Sequence, residues 1–164
     1  MRFGLQLPNY GPISDPQMIA KTAARAEADG YASVWTNDHV IVPPGMPQYE
    51  RIFEAMTTLV WTAAHTESIR LGTSVLVLAQ RDPILAAKQL ASIDVLCRAR
   101  LIVGIGAGYV AEEFGILGAR FEHRGALLEH QIAVMRALWG GATKFSSDWQ
   151  RADPSRRRSS CGCT

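Results

Sequence analysis

Residues Ser33-Val34-Trp35-Thr36-Asn37-Asp38-His39-Val40 (SVWTNDHV, 33–40) begin like a buried strand and end on an amide, a carboxylate and an imidazole. An ordinary turn after an apolar strand draws on Gly, Pro or Ser. A strand that stops on Asn-Asp-His carries chemistry at its C-terminal end, which is where parallel α/β sheets bind ligands. Whether that applies here depends on the neighbouring segments being strands of the same kind.

They are. Four strand–helix units follow one another, with strands expected at Arg2–Pro8, Ala32–Thr36, Arg70–Leu78 and Arg100–Ile105. Asp15-Pro16 and Asp82-Pro83 each place a capping carboxylate before a proline at the first helical position. The first helix carries the stripe Ile19, Ala23, Ala26 and ends at Gly30, where a C′ glycine belongs. The second is expected to bury Phe53, Met56, Val60 and Ala63, and the third Ala86, Leu90, Ile93 and Cys97. The last is expected from about Arg124 to Trp139, with Leu128, Ile132, Met135 and Trp139 in register. Short apolar strands separated by helices predict a parallel sheet covered by helices. A doubly wound sheet and half of an eight-stranded barrel both fit this periodicity.

The 164 residues suffice for one domain, and 48% apolar with 20% charged residues is a globular composition. No apolar run approaches the roughly 20 residues of a spanning helix, and Met1-Arg2-Phe3-Gly4 does not begin a signal peptide. A cytoplasmic protein without membrane contact is the expectation. The net charge of +2 is unevenly placed: residues 144–164 hold 5 of the 17 Lys and Arg and 2 of the 15 Asp and Glu. The remainder is nearly neutral, so even with Arg156-Arg157-Arg158 in the tail no nucleic-acid partner is expected. Three cysteines, Cys97, Cys161 and Cys163, make no disulfide framework.

Three segments fall at the C-terminal strand ends: Pro8-Asn9-Tyr10-Gly11, Asn37-Asp38-His39 and Gly106-Ala107-Gly108. Thr73 and Ser74 put hydroxyls inside the third strand, and these need partners if buried. Asp38-His39 could orient a ligand and exchange a proton, or could be a helix cap beside a structural histidine. Gly104-Ile105-Gly106-Ala107-Gly108 lacks the last glycine of the dinucleotide fingerprint, where Tyr109 stands, and does not open directly into the long helix. Glycines that admit a flat ligand to the backbone remain a use for it. No Gly-x-Ser-x-Gly elbow is present, and His39, His65, His123 and His130 show no metal-ligand spacing, so no metal site is expected. Glu122-His123 and Glu129-His130, seven apart, are expected on one solvated helix face.

RFGLQLPNYGP at the start, SVWTNDHV, IRLGTSVLVL and RLIVGIGAGYVAEEFGILG followed by RALWGG together resemble the luciferase-like monooxygenase family, from Met1 to about Trp149. Within it the chain is most similar to oxidoreductases that use the deazaflavin coenzyme F420. The resemblance implies an α/β fold made of the first four βα units of a TIM (β/α)8 barrel, truncated, over residues 1–149. It implies Asp38 against the cofactor ring, His39 facing the reacting centre as proton donor or orienter, and a bulge with a non-prolyl cis peptide at Ser74-Val75 backing the ring. Gly106 and Gly108 would give clearance beside it. The implied reaction is hydride transfer between the deazaflavin and a small organic substrate, the alternative being a monooxygenase that uses FMN.

Two features depart from the family pattern. Cys97-Arg98-Ala99-Arg100 replaces a glycine-containing turn, removing the left-handed glycine that would end the third helix at a cost of about 1 kcal/mol. After Trp149 the chain reads QRADPSRRRSSCGCT, expected as a disordered basic tail over 150–164 with the composition of a frameshifted GC-rich reading. On this reading two barrel edges are open, and a poorly soluble monomer or a homodimer through those edges is expected, with an inactive remnant without turnover as a further alternative to the active enzyme.

Overall fold

The computed structural model describes residues 1–141, so the expected boundary near 149 and the tail 150–164 lie outside the described residues. In chain order the elements are β1 (Gly4–Gln6), α1 (Pro16–Ala28), β2 (Ser33–Thr36), α2 (Ala55–Ala63), β3 (Arg70–Val77), α3 (Pro83–Leu96), β4 (Leu101–Gly106), α4 (Ala111–Ile116) and α5 (Arg124–Trp139). The two Asp-Pro starts behave as their positions require. Asp15 Oδ1 accepts the Gln17 and Met18 N–H groups at 2.8 and 3.2 Å, and Asp82 Oδ1 those of Ile84 and Leu85 at 2.9 and 3.1 Å. Each satisfies two donors that a helix start leaves orphaned.

All four strands are parallel and lie in the order β1-β2-β3-β4. A doubly wound sheet reverses direction partway across, whereas a barrel advances in one direction. The observed order is therefore that of the first four βα units of a (β/α)8 barrel. Leu5, Val34, Leu71 and Leu101 stand in register across the sheet. This row packs into one core with Ile19 and Ala23 of α1, Met56 and Leu59 of α2, Leu90 and Ile93 of α3 and Met135 of α5. In the neighbouring row, Trp35 spreads across the sheet. A Cβ added to Gly4 would fall 2.3 Å from its indole Nε1, and one added to Gly72 2.4 Å from its Cε3. Glycine is what permits the indole to lie this close to two strands.

Two helices turn differently from their sequence pattern. In α2 the buried face is Ala55, Met56, Thr58, Leu59 and Thr62, while Phe53 precedes the helix and Val60 is exposed. Glu54 caps the helix by accepting the Thr57 N–H at 2.7 Å, which fixes its start beyond Phe53. The threonines can be buried because Thr58, Thr62 and Thr66 each donate to the carbonyl four residues back at 2.8 Å. In α5 Leu127, Gln131, Val134 and Met135 are buried, with Leu128 and Ile132 only partly so. Gln131 faces inward because its Nε2 donates to the Arg81 carbonyl at 2.9 Å. Glu122 and His123 stand before α5, with His123 left-handed at φ 62°, so they share no helix face with Glu129 and His130.

Below the sheet, buried Arg100 gathers the ends of two helices. Its guanidinium donates to the carbonyls of Ala63, Thr66, Ile69 and Cys97 and to the Thr66 hydroxyl, at 2.8–3.2 Å. A cation here meets the negative ends of α2 and α3. Among the described residues, no helix is long and apolar enough to cross a membrane.

Candidate functional site

At the C-terminal strand ends the loops are tied to one another by buried polar side chains. Asn9, fully buried after β1, donates through Nδ2 to the carbonyls of Asn37 and Phe53 at 2.9 and 3.1 Å and accepts the Asn37 N–H at 3.1 Å. One amide thus joins the ends of β1 and β2 to the segment that leads into α2. Asp38 is equally engaged. Its Oδ2 accepts the Val77 N–H at 2.8 Å and its Oδ1 the Arg81 guanidinium at 2.6 Å. Arg81 also lies 3.1 Å from Glu54 Oε1, between the two carboxylates.

These contacts act on proton affinity in opposite senses. Burial pushes the Asp38 carboxyl up, against the downward pull of Arg81 and the Val77 N–H. Burial would raise Glu54 as well, but the Thr57 N–H and hydroxyl, with Arg81, hold it below its ordinary value. Arg81 therefore has a second anion beside it, whereas among the described residues Asp38 relies on Arg81 alone for a counter-charge.

His39 is buried, and its surroundings come from three other segments. Nδ1 lies 3.1 Å from Glu113 Oε1, Tyr109 Oη lies 3.5 Å from Nε2, and the Tyr49 ring packs 4.5 Å from the imidazole between centroids. Burial, then the neighbouring Tyr109, pushes the Tyr49 hydroxyl up, so it stays protonated at neutral pH. Glu113, on α4, also accepts the Val40 N–H at 2.8 Å through Oε1 and the Gln80 amide at 3.1 Å through Oε2. A cavity of about 280 Å³ opens between these groups, lined by His39, Tyr49, Ser74, Val75, Ala107 and Tyr109 among others. A larger groove of about 420 Å³ runs between α3, β4 and α5, walled by Leu90, Val95, Val103 and Trp139. Among the described residues that groove holds Asp94 as its one ionisable lining residue, and the reactive groups gather in the smaller cavity.

The residues singled out in the sequence meet here. The Ser74-Val75 peptide is cis, and the β3–β4 register shifts between Thr73 and Leu76. Both residues are exposed on the cavity wall, while the buried Thr73 hydroxyl donates to the Gly104 carbonyl at 2.8 Å. Gly106 and Gly108 serve protein packing. The space for a Gly106 Cβ is filled by Val75 Cγ2 at 2.5 Å, and that of Gly108 by Val77 Cγ1 at 2.6 Å. They bring the strand-three bulge close to β4, and Gly108 also takes the left-handed φ of 78°. Asp38 borders the cavity but directs its oxygens to Val77 and Arg81. Sequence reasoning passed over Glu113, Arg81, Tyr49 and Tyr109. Nothing local marked Glu113: it stands beside the exposed Glu112 in the six-residue α4, and only its contacts with His39, Val40 and Gln80 set it apart.

Comparison with known proteins bears on the family and the fold. A family model described as luciferase-like monooxygenase matches residues 1–159. The chain is 32% identical over 131 residues to the F420-dependent glucose-6-phosphate dehydrogenase of Amycolatopsis mediterranei, covering 76% of this chain and 38% of that protein. Among solved structures, the monooxygenase RslO1 from Streptomyces bottropensis superposes with a TM-score of 0.72 at 25% identity, covering 85% of this chain and 43% of that one. The oxygenating constituent of 3,6-diketocamphane monooxygenase from Pseudomonas putida, solved with FMN, does so at 0.76 and 20% identity, over 90% and 41%, a likeness of fold. The chain spans between 37% and 61% of the length of eight curated relatives.

Proposed function

The chain belongs to the luciferase-like monooxygenase family, and we propose that its strand-end cavity receives the ring system of the deazaflavin coenzyme F420 for hydride exchange with a small organic substrate. The observation that carries this reading is the exposed Ser74-Val75 segment at the β3–β4 register shift, which lines one cavity together with His39. A planar ring fits these residues. Val75 offers an apolar surface, the Ala107-Gly108 backbone offers polar groups without bulk, and about 280 Å³ is the scale of a ring rather than a whole coenzyme. When bound, the coenzyme supplies or takes up the hydride.

The chain's own residues do the rest. Val75 and Ser74 would support one face of the ring. His39, with Nε2 toward Tyr109 and the cavity, would hold or move the proton that accompanies hydride transfer. Tyr49 and Tyr109 would exclude water and give the substrate an aromatic wall, with Tyr10 packed 5.0 Å from the Tyr49 ring between centroids. Asp38 acts from behind, holding the bulge through the Val77 N–H.

Coenzyme binding tests this reading. Fluorescence titration is expected to show oxidised F420 binding at least tenfold more tightly than FMN, and Val75→Asp is expected to lose at least tenfold of that affinity. FMN binding tighter than F420 would transfer the site to the flavin-using branch. Binding of either that is indifferent to Val75→Asp would remove the assignment of the cavity.

A further inference from the structure

Glu113 stands out among the groups around the cavity, because among the described residues its buried carboxylate touches no cation other than what His39 could supply. Its Oε1 is already an acceptor for the Val40 N–H at 2.8 Å, with the Ile41 N–H farther off at 3.5 Å, and its Oε2 accepts from Gln80. A carboxylate with its lone pairs used in this way has only acceptor capacity left for the imidazole nitrogen 3.1 Å away. The partner on the other side of the ring is of the opposite kind. Tyr109 carries a hydroxyl that can donate, and it lies 3.5 Å from Nε2.

We infer that Glu113 is a positioning residue that fixes His39 in the Nδ1–H tautomer, leaving Nε2 as a bare acceptor toward Tyr109 and the cavity. The groups facing His39 are Glu113 from α4, Tyr109 from the β4–α4 loop and Tyr49 from the turn before α2, while the adjacent Asp38 points away to Val77 and Arg81. Of these only Glu113 can accept from Nδ1. The same oxygen holds the Val40 N–H, so ring orientation and backbone are set by one atom. A second-sphere carboxylate that fixes a histidine's tautomer decides which nitrogen does the chemistry. In its catalytic meaning this rests on the proton-handling role proposed above for His39; the tautomer itself does not.

The test is therefore independent of coenzyme and substrate. The chain is labelled with ¹⁵N-histidine, and long-range ¹H–¹⁵N correlation is recorded at pH 9, where an ordinary imidazole is neutral. Four histidines make assignment feasible, with His39→Gln identifying the signal of interest. The expected result is a preference for Nδ1–H of about tenfold or more, as a charge-assisted hydrogen bond gives. Glu113→Gln, which keeps a carbonyl oxygen for Val40 and His39, is expected to retain it, and Glu113→Leu to lose it. Nε2–H or an even mixture in the wild-type chain would overturn the inference, whether or not Glu113→Leu folds. So would an undiminished preference in Glu113→Leu. Failure of F420 to bind would refute the proposed coenzyme and leave this result standing.

Discussion

The turn between α3 and β4 permits a stabilisation to be worked out in advance. Arg98 and Ala99 both adopt the left-handed conformation, at φ 58° and 59°. The turn is closed by the Arg98 N–H on the Val95 carbonyl at 3.1 Å and the Ala99 N–H on the Asp94 carbonyl at 2.8 Å. An L-residue held there costs roughly 1–2 kcal/mol, and glycine removes that cost while adding about 0.5–1 kcal/mol of chain entropy to be lost on folding. Ala99 is exposed, so deleting its methyl forfeits no buried surface. Ala99→Gly is therefore expected to stabilise the chain by about 0.5–1 kcal/mol, raising Tm by ~1–4 °C for a chain of this size. Arg98→Gly should add a similar amount, because its ion pair with Glu67 is 3.6 Å long between side chains 81% and 85% exposed and contributes little. The assay is urea unfolding followed by circular dichroism, with a raised midpoint at unchanged slope. The control is Ala133→Gly on the exposed face of α5, expected to cost about 1 kcal/mol. If Ala99→Gly is neutral, or as harmful as the control, the strain assigned to this turn is wrong.

Two further outcomes follow from particular contacts. Burial would raise Glu27, but N–H groups of Ser68, Ile69 and Glu67 and the Ser68 hydroxyl hold it down to about 2. A depressed carboxyl stabilises the fold above its unfolded value near 4.3 and loses that contribution as pH falls toward about 2, by roughly 2 kcal/mol after allowance for solvent screening. Glu27→Gln should flatten unfolding free energy across pH 4 to 2, and a wild-type slope that survives the substitution would refute this. Gly106→Ala places a methyl 2.5 Å from Val75 Cγ2, so Val75, 42% exposed, must move into the cavity. The substitution is expected to weaken F420 binding at least tenfold, while far-ultraviolet circular dichroism stays that of the wild type. Unchanged affinity would show that the Val75 position does not shape the ring site.

Legibility in the sequence divides by contact range. Asp15, Gly30 and Asp82 act within four residues of themselves, so the starts of α1 and α3 and the end of α1 are readable where they stand. The face of α2 was misread because hydropathy ranks Val60 above Thr62, whereas a threonine that donates to its own helix is admitted to the core. The face of α5 was misread because Gln131 finds a carbonyl 50 residues away. At the site, the strand-end rule singled out Asp38 and His39, but their partners Arg81 and Glu113 lie 43 and 74 residues on, inside helical or turn segments with no distinguishing pattern.

By itself the sequence determined four strand–helix units, their caps and the polar strand ends, because periodicity and capping are properties of short stretches of chain. Periodicity left two architectures open, and the family resemblance alone pointed to the barrel. The strand order β1-β2-β3-β4 chose between them, since the direction in which each crossover advances depends on which strands pair and leaves no mark in local periodicity. Tertiary structure likewise decided that Asp38 braces the bulge while His39 faces the cavity. Both residues follow β2 and border the same cavity, and only packing against segments 39 to 74 residues away spends the Asp38 carboxylate on Val77 and Arg81 and gives His39 to Glu113.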